Sequence, residues 1–393
     1  GRASAMRLSV LSNTMCPRDV RPTVFVSAFA GAAALMLATP ALAEESRSFV
    51  VSWFAQATNT TEGDCSRGAH PALEEVYFMY LPHLGIPQED IEEIRQAFLE
   101  GRDHEGLRDL MMVRGRINGE PTNPWTHPAS VEDLNLPGVD GKYAYGFDLD
   151  GLGADDPNGF EHPERDVKGI DHQLYRALGC ARSFRGTLEE GPTYWAWAWG
   201  QLVSSQPAWV VTISADDLSV DGPVTVRLER ALEHLRVNGD SSPRANMAYR
   251  IDPDPRSRNE FQGQINDGVV TVDGGGDLRL FQNPLVAPEL VLRNFHFRME
   301  IDDDGKSMRA IMGGYQPWED VYWGFGNLSV GGEQQVIGDA AQFYHLMKRY
   351  ADADPDPVTG QNMSISAAYY IEGVPAFADL PASVQTAASA AQD

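Results

Sequence analysis

The sequence predicts an α+β protein: a helical region over 44–113, an irregular acidic middle over 114–192, and a mainly antiparallel β region over 193–379, sandwich or barrel-like. Three observations predict it. Apolar residues recur at helical spacing behind Pro71 and Pro87, and they alternate with polar residues through much of the C-terminal half. Between these stretches periodicity is lost and Gly, Pro, Asp and Asn dominate.

Ahead of these regions, residues 1–43 read as a cleavable leader. Arg7, Arg18 and Arg21 precede an uncharged run from Val24 to Ala38, and Ala41-Leu42-Ala43 closes it as a small-x-small site. The run is too short to span a bilayer, which takes about 20 apolar residues. The expected product is therefore exported, to the periplasm or outside the cell, with no stable membrane span once the leader is removed. Losing Arg2, Arg7, Arg18, Arg21 and Asp19 with it would leave 27 basic and 55 acidic residues, a net charge of −28. That excess of carboxylates repels nucleic acid and anionic lipid, and suits a binder of cations.

In the helical region, Pro71 starts a helix through Leu73, Val76, Tyr77 and Tyr80, because the first turn does not use proline's missing N–H. A second starts at Pro87, carries Glu89 and Asp90 at its positive end and stops at Gly101. A third covers Leu107 to Met112. In the β region, Phe295, Phe297, Met299 and Ile301 alternate with Asn294, His296, Arg298 and Glu300, the period of a half-buried strand. Asp302 to Gly305 turns the chain into a returning strand at Met308, Ala310 and Met312. Further strands are expected at 209–214, 223–228, 269–272, 278–281 and 364–371. One helix, 339–350, interrupts them. The Ala/Ser/Gln-rich tail over 380–393 reads as disordered.

Cys65 and Cys180 remain after the leader, and in an oxidising compartment two cysteines most simply pair; free thiols or metal ligands are the alternative.

The acidic middle holds the strongest local pattern. Asp148 and Asp150 precede Gly151; Asp155, Asp156 and Asn158 precede Gly159; Asp166 and Asp171 flank Gly169. Calcium takes six to eight oxygen ligands from a chain free to turn sharply, and this composition supplies both. No EF-hand spacing is present, and a solvated acidic loop is the plain alternative. Asp352, Asp354 and Asp356 form a second acidic group behind a helix whose negative end disfavours them unless water or a cation neutralises them.

Trp195, Trp197 and Trp199 alternate with alanines, so a strand there would place three indoles on one face, either buried against a layer or open to a sugar. Trp318 and Trp323, in and just after Gly313–Trp318, add aromatic density on an expected loop, and Tyr315 and Trp318 are ligand-binding candidates with the row. No H-E-x-x-H, C-x-x-C-H, G-x-S-x-G or P-loop pattern occurs. His162, His172 and Cys180 are the candidates for a transition metal.

Gly169-Ile170-Asp171-His172-Gln173-Leu174, Gly313-Gly314-Tyr315-Gln316-Pro317-Trp318, and the run from Ile365-Ser366-Ala367-Ala368 to Val374-Pro375-Ala376-Phe377 together resemble a group of exported bacterial proteins without assigned function. Members of that group usually carry Asn at the position of His172. The resemblance implies export and a shared architecture, and no activity. The expectation is a binding or structural module stabilised by calcium; the alternative is an extracytoplasmic hydrolase, carbohydrate-directed, using paired carboxylates near an aromatic cleft.

Overall fold

The computed structural model describes residues 44–102, 104–193, 196–283, 289–324, 332–333 and 338–381. The leader expected over 1–43 lies outside them, as does nearly all of the tail expected over 380–393.

Eight antiparallel strands, each paired with its neighbours in chain order, close into a barrel. They are β1 (Glu45–Gln56), β2 (Trp209–Ala215), β3 (Gly222–Arg230), β4 (Arg258–Asn266), β5 (Val269–Asp273), β6 (Glu289–Ile301), β7 (Met308–Pro317) and β8 (Asn362–Asp379), which returns to β1. Leu278–Phe281 prolongs the line of β5 along β6. The inside is packed with apolar side chains such as Val226, Phe297, Met312 and Ile371, and the space left near Phe54 and Trp209 is about 10 Å³. The outer wall carries ion pairs such as Arg227–Glu260 at 2.7 Å. A barrel that crosses a membrane has the reverse polarity, an apolar belt around a polar interior. No helix among the described residues is long and apolar enough to cross a membrane.

Among the described residues the barrel is accompanied by the helices α1 (Leu73–Tyr80), α2 (Gln88–Leu99), α3 (His104–Met112), α4 (Gln173–Leu178), α5 (Ala196–Ser204), α6 (Trp318–Gly324) and α7 (Ala340–Tyr350). α1 and α2 begin just after Pro71 and Pro87, but the prolines stand ahead of the first turn and not in it, Pro71 before the N-cap Ala72 and Pro87 at the N-cap itself; α7 begins where Asp339 caps the backbone N–H of Gln342 at 2.9 Å.

Several expectations are corrected, among them the loop expected at Tyr315 and Trp318, since Tyr315 lies in β7 and Trp318 opens α6, so that 339–350 is not the one helix among the strands. The region over 44–113 is not helical at its start, because β1 occupies it and closes the barrel. β4 was not expected at all: its inward positions are Asn259, Phe261, Gly263 and Ile265, a half-polar row that hides the alternation. The tryptophan row is not a strand. Ala196–Ser204 forms α5, in which Trp199, Leu202 and Val203 sit at helical spacing against Val50 and Val210, and alanine at every second position favours that outcome. Trp195 and the side chain of Trp197 lie outside the described residues.

Cys65 and Cys180 form a disulfide. It ties the turn before α1 to the end of α4 and closes a loop spanning 115 positions. Replacing both cysteines by serine is expected to lower stability by about 3 kcal/mol, read from urea unfolding.

Helix α1, the segment after α3 and the start of α7 meet on a buried charge network. Arg114 reaches Glu333 at 2.6 Å and Asp339 at 2.8 Å, and all three side chains are fully buried. Tyr77 donates to Glu333 at 2.7 Å and Tyr80 to Asp339 at 2.9 Å. Burial, with Asp339 adding to it, pushes the Glu333 carboxyl up to about 7.

Candidate functional site

The acidic middle is laid across the outside of β6, β7 and β8, and its local folding begins with a return of the chain on itself. Asp171 N donates to Phe147 O at 2.8 Å, and Asp171 Oδ2 accepts from Leu149 N at 2.6 Å and Asp150 N at 3.2 Å. One carboxylate thus orders the loop carrying two others. Gly169, at φ +73°, crosses Gly153 so closely that a Cβ would stand 2.4 Å from Gly153 O, which only glycine avoids.

The wall receives this loop in rows set by strand register. His296, Gly313 and Ala368 are cross-strand partners, and so are Tyr315 and Ser366 one step further along. The Phe147 ring occupies the space that a side chain on Gly313 would need, since a Cβ there would lie 2.7 Å from Phe147 Cδ2, and it packs on His296 with ring centres 5.5 Å apart. Asn294, in the left-handed region at φ 51°, makes a bulge in β6 and donates through Nδ2 to Leu149 O at 3.1 Å. Ser366 Oγ accepts from Gln173 N at 2.9 Å, and Ser366 N donates to Asp352 Oδ1 at 2.8 Å. The three segments that carry the resemblance therefore meet at one place.

Gly313→Ala is expected to dislodge Phe147 and the loop behind it, at about 1–3 kcal/mol, because the obstructing atoms belong to a ring and to Ala367 O. Thermal melts compared with those of Gly314→Ala, a change directed at Arg293 O instead, check this.

Asp148, Asp150 and Asp171 each present a carboxylate oxygen, and these oxygens lie within 4.8 Å of one another. Asp171 is buried, Asp148 half-buried and Asp150 exposed. Asp148 Oδ1 is out of contact with solvent and has no hydrogen-bond partner among the described residues. None of the three, nor Asp352, forms an ion pair among the described residues. Burial, with the charges of Asp150 and Asp352 adding to it, pushes the Asp171 carboxyl up to about 7. Asp352 keeps one side to solvent and is pushed less far, to about 6, mainly by loss of water from its surroundings and partly by Asp150. The Tyr315 hydroxyl is raised by burial and then by Asp171 and Asp352, which places its ring in the same negative field.

The other candidates fall elsewhere. Asp156 accepts from Asn158 N at 2.8 Å as a turn, while Asp155, Asn158 and Asp166 are exposed. The second acidic group does not converge: Asp352 turns its charge toward Asp171 and Asp150, Asp354 pairs with Arg293, and Asp356 caps a turn through Val358 N and Thr359 N. Trp318 is buried, donating to Asn362 O at 3.1 Å. Cys180 is committed to the disulfide, and both nitrogens of His172 are occupied, Nδ1 accepting from Ala368 N at 3.2 Å and Nε2 facing Ala57 O at 3.1 Å. An asparagine would offer the same one acceptor and one donor. Burial holds the His172 ring at about 3, so it is neutral.

Two residues of the site had no clear signal in the sequence. Asn294 and Ser366 read as ordinary outward positions of strands, and only the bulge and the register turn them toward the loop. No family model matches the chain, and comparison with curated proteins and with solved structures finds no match.

Proposed function

We propose that the chain is an exported binding or structural module whose irregular middle is held on the barrel wall by one calcium ion, bound by Asp148, Asp150 and Asp171 with Asp352 beside them. The observation that carries this reading is the meeting of three carboxylate oxygens within 4.8 Å, with no positive side chain paired to them among the described residues. Like charges so placed repel unless protonated or neutralised by a cation. The donors are all oxygen, the set preferred by calcium and magnesium over softer metals. Asp171 spends Oδ2 on backbone N–H groups and Asp150 spends Oδ1 on Leu152 N, which leaves one free oxygen on each, and the exposed side of Asp150 admits the waters that complete six to eight ligands. A loop of irregular backbone accommodates calcium's loose geometry more readily than magnesium's strict octahedron. Export is supported by the basic and apolar pattern of 1–43 and by the Cys65–Cys180 disulfide, a bond of oxidising compartments.

Chelation with EGTA is expected to lower the melting temperature, calcium to restore it, and magnesium to restore much less. Unchanged melting across the three conditions would remove the reading. A hydrolytic reading draws on the same carboxyls, since Asp171 at about 7 and Asp352 at about 6 are poised as acid and base near neutral pH. Glycoside turnover that persists in EGTA and vanishes in Asp352→Asn would favour it.

A further inference from the structure

Further along the same wall, Arg298, Ile311 and Tyr370 are cross-strand partners on β6, β7 and β8. With the turn at His162–Arg165 and the loop at Leu188–Glu189 they line a half-open pocket of about 150 Å³. We propose that this pocket binds a small monocarboxylate with an apolar body, its carboxylate held by Arg165 and His162 Nε2 and its body lying against Tyr145, Leu188, Ile311 and Tyr370.

The donors are arranged for an acceptor that the chain does not itself supply. His162 Nδ1 accepts from Glu164 N and from Arg165 N, both at 3.1 Å. Those two bonds place the ring proton on Nε2, because a neutral imidazole has one N–H and burial holds this ring neutral, at about 4. Arg165 Nε–H points at that Nε2 from 3.1 Å, as it would at an acceptor, and a ring nitrogen that carries the proton cannot accept it. Two N–H groups therefore face each other, an arrangement relieved by an oxygen that accepts from both.

Arg165 forms no ion pair among the described residues, and its guanidinium is disfavoured first by burial and then by the like charge of Arg298. On a chain with net charge −25, two guanidiniums turned toward one space define a local anion site.

The acids of the pocket set the charge of the ligand. Glu300 already takes Arg298 at 3.0 Å, Glu164 accepts from Tyr145 at 3.1 Å, and Glu189 stands at the rim. With Arg309 the lining holds three arginines and three glutamates, so a doubly charged phosphate meets more repulsion than a single carboxylate. The apolar side matters as well, because Tyr145 and Tyr370 form one buried cluster with Leu188 and Ile311 packed on it. The volume lies below that of pockets for drug-sized ligands, which restricts the ligand to few heavy atoms.

Isothermal titration of the whole chain with sodium isobutyrate and with sodium benzoate tests this, with isobutyramide, benzamide and sodium phosphate as comparators. Saturable binding of at least one carboxylate is expected, with the matching amide and phosphate at least about tenfold weaker. Arg165→Gln is expected to weaken it by about tenfold or more with near-ultraviolet circular dichroism unchanged. Should that variant fail to fold, Leu188→Trp, which fills the pocket from an exterior loop, is expected to abolish binding. Absence of saturation by both acids, equal binding by a folded Arg165→Gln or Leu188→Trp, or a preference for phosphate would overturn the proposal.

Discussion

Asp171→Asn is expected to stabilise the cation-free protein at pH 8 by about 4 kcal/mol and to abolish its response to calcium. In the fold the Asp171 carboxyl titrates at about 7. In an unfolded chain an aspartate titrates near 3.9, so the folded group prefers its proton. Its favourable contribution is complete below about pH 4 and is lost as pH rises through about 7, and a difference of about three units corresponds to about 4 kcal/mol. Asparagine cannot ionise and escapes that loss. Its Oδ1 can still accept from Leu149 N and Asp150 N, and its NH₂ adds a donor beside the unpartnered Asp148 Oδ1. In EGTA the gain over wild type should therefore be large at pH 8 and close to zero at pH 4. With calcium the order reverses, since wild type gains a ligand that the variant has lost. Urea unfolding at both pH values, with and without calcium, resolves the four states. A variant less stable than wild type at pH 8 in EGTA would show that Asp171 serves the loop through its hydrogen bonds alone.

That test reaches a part of the site which the sequence displays only in outline. Asp148, Asp150 and Asp171 were legible as candidates because alternate carboxylates and glycines stand out against any periodic background. Their meeting was not legible in the same detail. It depends on Gly169 crossing Gly153 and on Phe147 filling the space left at Gly313, contacts between residues 16 and 166 positions apart in the chain. Asp352 illustrates the limit most directly. It stood among Asp354 and Asp356 as a separate group, and the ladder from Tyr315 to Ser366 carries it to the other cluster while its neighbours turn away to Arg293 and to a tight turn.

The barrel shows the same division. β6 and β7 were readable because each buries one face, so that polar and apolar residues alternate. β1 was not, because both its faces are covered: Phe49 and Val51 point into the barrel core while Val50 packs against Leu202 and Tyr249. The register also shifts between Val51 and Trp53, after which Phe54 continues the inward row on the opposite parity. A strand buried on two sides and broken by a bulge has no period-2 signal to find, and its neighbour α1, with a clear proline start, draws the whole region toward helix.

The buried network around Arg114 was likewise outside the reach of composition or spacing, and its loss is expected to be as large as any single change in the chain. Arg114→Met at pH 8 should destabilise by about 3–5 kcal/mol, because Glu333 and Asp339 would remain fully buried with no cation between them. Tyr77 and Tyr80 still donate to the two carboxylates, yet neutral hydrogen bonds do not replace a charge held at 2.6 Å. The sign with pH follows from Glu333, already raised to about 7 with Arg114 present. A raised carboxyl favours the fold while protonated and loses that contribution as pH climbs through its folded value. Removing Arg114 raises it further, so the variant should recover part of its deficit as pH falls from 8 toward 5. Adding Asp339→Asn to Arg114→Met removes one of the two stranded charges and should restore part of the stability at pH 8, at the expense of a weaker acceptor for Tyr80. Denaturant unfolding of the single and double variants at both pH values tests the account. If Arg114→Met loses the same stability at pH 5 as at pH 8, packing of the arginine stem, and not the stranded carboxylates, sets the loss.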